Sequence, residues 1–159
     1  ELLCDPAFAD YMAYQVMPWL YEHFPVTHNP AQTVVTGSRY GGLAAAYLAL
    51  RHPQRFGKVL AQSGWFRWRP AGDPEFHWLA RQYAQAPTLP LRFYLDVGNL
   101  EVAQMGDGGP TQLAANRYLR DVLVAQGYSV QYSEYSGGHD DSSLASPLFA
   151  ALYRMFTEN

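Results

Sequence analysis

Gly37-Ser38-Arg39-Tyr40-Gly41-Gly42 is the stretch from which the fold can be read. Glycines two residues to either side of a central position, where a strand turns into a helix, mark a nucleophile elbow: a sharp, strained turn that presents its middle residue at the top of a sheet. Gly37 and Gly41 hold that spacing around Arg39. Ser38 stands one position early, because two residues before it comes Thr36 and not a glycine. The slot from which a serine hydrolase attacks is therefore filled by an arginine. Its guanidinium stays protonated and has no lone pair to offer an acyl carbon.

The flanks agree with a strand, a glycine turn and a helix. Gln32 to Thr36 is a short β-branched run ending at a glycine, as a buried strand does. Leu43 to Leu50 is rich in alanine and leucine and is closed by Arg51-His52-Pro53, which predicts a helix. Further along, strands are predicted over Lys58 to Gln62, Leu91 to Val97 and Ser129 to Tyr135. Helices are predicted over Glu75 to Ala86, Thr111 to Gln126 and Leu144 to Thr157. Ahead of the elbow, Phe8, Met12, Val16, Trp19, Leu20 and Phe24 form a helical stripe interrupted by Pro18, which we read as core. Four strands separated by helices imply an α/β fold, a parallel sheet of about four strands flanked by helices.

At 159 residues and 48% hydrophobic content the chain suits one core and a single domain over 1–159. A net charge of −3 with both signs scattered argues against nucleic acid as a partner. The single cysteine, Cys4, excludes an internal disulfide, and no Cys/His cluster has metal-ligand spacing, so neither metal nor cofactor is expected. No apolar stretch approaches the ~18 residues of a membrane span. With no signal peptide at its start, the chain is expected to be cytoplasmic. The sequence opens at Glu1 without a methionine, so an upstream part is expected to have been cut away.

In a parallel sheet of this kind the site lies at the carboxyl ends of the strands. The residues found there are Arg39 and Tyr40, then Ser63 and Gly64, then Gly98, Asn99 and Glu101, and last Gly137, Gly138, His139 and Asp140. Hydrolases of this topology supply nucleophile, acid and base in that chain order. Glu101 and His139 fall where an acid and a base belong.

Four phrases carry a resemblance. They are Thr36 to Ala45 around the elbow, Arg51 to Gly64 with Trp65 and Trp68 behind it, Leu95-Asp96-Val97-Gly98 with Glu101, and Gly137-Gly138-His139-Asp140. Together they are similar to the enterochelin (catecholate siderophore) esterases and their relatives in the esterase D-like branch of the α/β-hydrolases. The likeness covers nearly the whole chain. It implies the C-terminal part of an α/β-hydrolase fold, lacking the N-terminal strands of the complete domain, and an enzyme that hydrolyses the esters of ferric catecholate siderophores.

Carried over by position, the resemblance makes Arg39 the substituted nucleophile, His139 the base and Glu101 the supporting acid, with Asp96 as second choice. The backbone N–H of Tyr40 becomes one oxyanion donor, and the other comes from an earlier loop that this sequence does not contain. Where the family continues with a tryptophan-arginine pair after the histidine, this chain has Leu144 and Ala145. At the tip of a strained turn, the charge of Arg39 would stand within reach of His139 and Glu101.

Trp65, Phe66, Trp68 and Trp78, with Arg67 and Arg69 among them, suit a flat anionic ligand, through stacking faces and cations. Of these, Trp65, Arg67 and Trp68 are the substrate-binding candidates. The expected function is an impaired or inactive member of the esterase family that takes a small-molecule ester or catecholate siderophore. The alternatives are an active ester hydrolase using Ser38 or Ser63, and a non-catalytic binding or scaffold module. The first strand is expected to expose an apolar edge, covered by a second copy or by a continuation of the same polypeptide.

Overall fold

The structure is a computed structural model and describes residues 1–138, 149 and 151–157. Four parallel strands run in the order β1 (Val34–Ser38), β2 (Lys58–Gln62), β3 (Arg92–Gly98) and β4 (Ser129–Tyr135). The connecting helices are α3 (Tyr40–Arg51), α4 (Trp78–Gln85) and α5 (Gln112–Ala125). Each step across the sheet goes the same way. Right-handed crossovers then place all three helices on one face, and the main core forms there from Val59, Ala61, Phe93 and Leu95 of the strands packed on those helices. Tyr83 of α4 anchors this layer: its ring meets Phe93 and Tyr128 edge-on, and its hydroxyl donates to the Ala46 carbonyl at 2.7 Å.

Leu60 and Tyr94, one residue out of phase, point to the other face, where Met155 of α6 (residues 151–157, helical) closes a smaller cluster. The predicted helix over Leu144 to Thr157 lies partly outside the described residues. β1 is one edge of the sheet. Its Val34 and Val35 are half-buried, and Thr36 and Ser38 are exposed.

The N-terminal stripe forms α1 (Pro6–Tyr11), a π-helical turn (Met12–Val16) and α2 (Met17–His23). The π turn is the physical answer to Pro18. A proline has no N–H and crowds the carbonyl four residues back, and here the Met17 amide reaches back five residues to the Met12 carbonyl. Asp5 caps α1 and Thr111 caps α5 through side-chain oxygens. β1 begins two residues later than predicted, because Asn29 caps a 3-10 turn over Pro30–Gln32. Among the described residues no helix is long and apolar enough to cross a membrane.

The elbow glycines are not equivalent. A Cβ on Gly37 would lie 2.3 Å from the Gly41 carbonyl carbon, whereas a Cβ on Gly41 meets nothing within 4 Å. Gly37→Ala should therefore lower stability by about 3 kcal/mol or more through backbone overlap. Gly41→Ala, at an open helical position, should raise it by up to ~1 kcal/mol. Urea unfolding of the two variants checks this contrast. Equal midpoints would refute it.

Candidate active site

Arg39 sits at the apex of the turn with φ 53° and ψ −116°. That region is sparsely populated by residues with a Cβ, and holding one there costs about 1–3 kcal/mol. Three backbone hydrogen bonds hold it: Arg39 N–H to the Gln62 carbonyl at 2.9 Å, and its own carbonyl to Leu43 N–H at 3.1 Å and Trp65 N–H at 2.9 Å. Gly42 passes close behind, since a Cβ there would come within 3.0 Å of the Gly64 Cα. Tyr40 opens α3, where first-turn amides lack helical partners. Its exposed ring lies 5.1 Å from that of Trp65.

A second strained residue follows β2. Ser63 has φ 46° and is 1% exposed. Its hydroxyl donates to Glu101 Oε1, and Tyr135 Oη lies 3.3 Å from the same hydroxyl. The Ser63–Gly64 turn is fixed from α5: Gln112 Nε2 donates to the Ser63 carbonyl at 2.5 Å and to the Gly64 carbonyl at 2.6 Å, and Asn116 Nδ2 donates to the latter at 3.0 Å. The Gly98 amide adds a second donor to Glu101 Oε1 at 3.0 Å. Glu101, 6% exposed, is thus held from β2, β3 and the start of α5, whose Leu113 N–H bonds its carbonyl.

Asp96, on β3 itself, is less well served. It is 3% exposed, its Oδ2 accepts a long bond of 3.3 Å from Gln62 Nε2, and its Oδ1 has no hydrogen-bond partner. Burial pushes its carboxyl up to about 7, the Gln62 bond opposes this, and the neighbouring Glu101 charge adds to it. Tyr135 is also raised, first by burial and then by the charges of Glu101 and Asp96, while the Ser63 bond and the charge of Arg39 act the other way. The charge of Arg39 thus acts on Tyr135, which lies beside Ser63.

The structure thus brings Arg39, Tyr40, Ser63 and Glu101 to one end of the sheet. His139 lies outside the described residues, as do Asp140, Leu144 and Ala145. Ser38 is exposed at the end of β1. Of the expected ligand-binding set, Trp65 borders the elbow. Arg67 is buried, pairing with Asp107 at 2.5 Å and donating from Nε to the Pro110 carbonyl at 2.8 Å. It ties down the loop that follows Glu101. Trp68 is half-buried and packs edge-on against Trp78. Sequence reading did not single out Tyr135, Gln112 or Asn116, and it gave Ser63 no contact with Glu101. Among the described residues no three His, Cys, Asp or Glu side chains gather as a metal site would need.

The family described as Esterase matches this chain over residues 2–155. An iron(III) enterobactin esterase of Dickeya dadantii strain 3937 is 35% identical over 156 residues, covering 88% of this chain and 33% of the relative. An iron(III) enterobactin esterase of Escherichia coli K12 is 30% identical over 142 residues, covering 88% and 34%. The crystal structure of a Shigella flexneri enterobactin esterase, obtained in the presence of 2,3-dihydroxy-N-benzoyl-glycine, superposes with a TM-score of 0.84 at 28% identity. That match covers 98% of this chain and 40% of the other. The chain spans about a third of the length of the curated relatives it matches.

Asp96 gives a pH test. A carboxyl raised in the folded state stabilises fully below its unfolded pKa of ~4 and loses that contribution as pH rises towards 7. Asp96→Asn should therefore become relatively more stable than the natural chain between pH 5 and pH 8, by on the order of 3 kcal/mol. Denaturant unfolding at both pH values measures the difference, and parallel pH profiles for the two proteins would rule it out.

Proposed function

The chain belongs to the esterase family, in its enterobactin-esterase-like part, and from that premise we propose that it keeps the family's ligand-binding face without acyl-transfer chemistry. The observation that carries this reading is Arg39 at the apex of the elbow, in the strained conformation at φ 53°. Attack on an ester carbonyl needs a lone pair at that point, and a guanidinium has none to give. Removing a serine nucleophile costs several powers of ten in rate, and leaves only what binding and oxyanion contacts supply.

The ligand class follows from the relatives. Similar Shigella flexneri enzymes were crystallised in the presence of enterobactin and of 2,3-dihydroxy-N-benzoyl-serine. A catecholate siderophore or its aromatic fragments would meet the rings of Tyr40 and Trp65 beside the elbow. The competing reading is an active hydrolase with another serine. Against it stands Ser63, buried with its hydroxyl committed to Glu101. Ser38 is exposed but lies in the strand, one residue short of the apex.

A fluorophosphonate probe read by mass spectrometry decides between the two. We expect no labelled serine in the natural chain, and adduct formation at Ser38 or Ser63 would overturn the proposal. For the ligand, a catecholate siderophore should quench tryptophan fluorescence, with Trp65→Ala weakening apparent affinity several-fold, in keeping with ~1–3 kcal/mol for one stacking ring. Absence of quenching at high micromolar ligand would remove the binding half of the reading.

A further inference from the structure

The elbow and both carboxylates use the carboxyl ends of the strands, and the amino ends carry a separate cleft. Its volume is about 820 Å³, within the range of small-molecule sites. Lys58 opens β2 and Arg92 opens β3, and they stand opposite each other in the parallel register. Among the described residues no Asp or Glu lines this cleft. Lys58 Nζ donates to the Met155 carbonyl at 2.6 Å and lies 5.9 Å from the Phe156 ring. Arg92 is exposed, and no carboxylate among the described residues pairs with either cation.

The neutral groups around them are donors as well. Asn29 and Gln32 both line the cleft, and the acceptor end of each amide is already engaged. Asn29 Oδ1 accepts the Ala31 N–H at 3.0 Å, and Gln32 Oε1 accepts the Thr27 hydroxyl at 3.0 Å. Thr27 is itself oriented by the Asn29 backbone N–H, which donates to its Oγ1 at 3.1 Å. Each side chain also carries an NH₂ donor. Two cations and two side chains with NH₂ donors line the cleft, with no carboxylate among the described residues. The Phe156 ring beside Lys58 supplies an apolar surface, and Leu89 also lines the cleft.

We propose that this cleft binds an organic phosphate monoester, the phosphate held by Lys58 and Arg92 and its carbon body laid against the Phe156 ring beside them. A guanidinium presents a planar fork that matches two phosphate oxygens, and an ammonium supplies a compact point charge for a third. Two cations set against one group suit a dianion better than a carboxylate.

Phenyl phosphate is the probe, titrated into the 159-residue chain by calorimetry. Saturable binding is expected, weakened about tenfold or more in Arg92→Gln and in Lys58→Gln, and weakened by added salt. Circular dichroism confirms that each variant is folded. Because Lys58 also bonds the Met155 carbonyl, the exposed Arg92 is the variant on which the test rests if Lys58→Gln unfolds. Benzoate should bind several-fold more weakly than phenyl phosphate, and inorganic phosphate likewise. Equal affinity for benzoate would overturn the phosphate assignment, and equal affinity for inorganic phosphate would overturn the apolar contact. No saturable heat at about 5 mM probe, or unchanged affinity in Arg92→Gln, would overturn the site itself.

Discussion

Arg39 gives its amide to the end of β2 and its carbonyl to both the first turn of α3 and the segment that leaves β2. The backbone of one residue therefore ties together strand, helix and aromatic loop. The strained backbone at this residue costs about 1–3 kcal/mol, and three backbone hydrogen bonds at roughly 1 kcal/mol each offset it. The balance holds only if the strand can pass the helix closely enough for the bonds to form. Gly37 is what permits that approach, since any side chain there would overlap the backbone of Gly41. The sheet end, the α3 start and the placing of Ser63 all follow from this contact.

Two carboxylates stand behind the elbow, and their surroundings divide them. Glu101 receives donors from two sides on one oxygen, Ser63 Oγ and the Gly98 amide. Asp96 has a single long donor and an oxygen with none, so burial leaves it holding its proton to about pH 7. Asp96 is therefore a neutral neighbour of Glu101 over much of the acid range. A cation at position 39 adds to this arrangement electrostatically, for its field already reaches Tyr135.

The parts of the fold legible in the sequence are those set by local chemistry. β4 was read to the residue from its β-branched and aromatic pattern, and β2 from its apolar run into Ser63-Gly64. Pro18 announced a break in the N-terminal helix, but not that a π turn would absorb it. The elbow was legible because its glycine spacing is a steric requirement, and the place of Glu101 at the carboxyl end of the sheet because it follows β3 in the chain. The bond of Ser63 to Glu101 could not be read, because it joins residues 38 positions apart through a reversed φ, neither of which leaves a local trace. Arg67 shows the converse. Its charge among aromatics suggested a ligand contact, while its pairing with Asp107, 40 positions on, could not be seen without the fold.

What the elbow demands of the sequence falls almost wholly on backbone atoms and glycines. Gly37, Gly42 and Gly64 make room, Gln112 and Asn116 hold carbonyls, and Arg39 itself enters the scaffold through its amide and carbonyl. The reaction, in contrast, would rest on a single side-chain oxygen at that residue. Selection for folding acts on the first set and does not see the second. A chain can therefore retain the packing around the elbow, superpose on an enterobactin esterase across 98% of its own length, and still carry a side chain that cannot attack an ester. Likeness of fold reports the glycines and the core, and chemistry has to be argued from the atom at the apex.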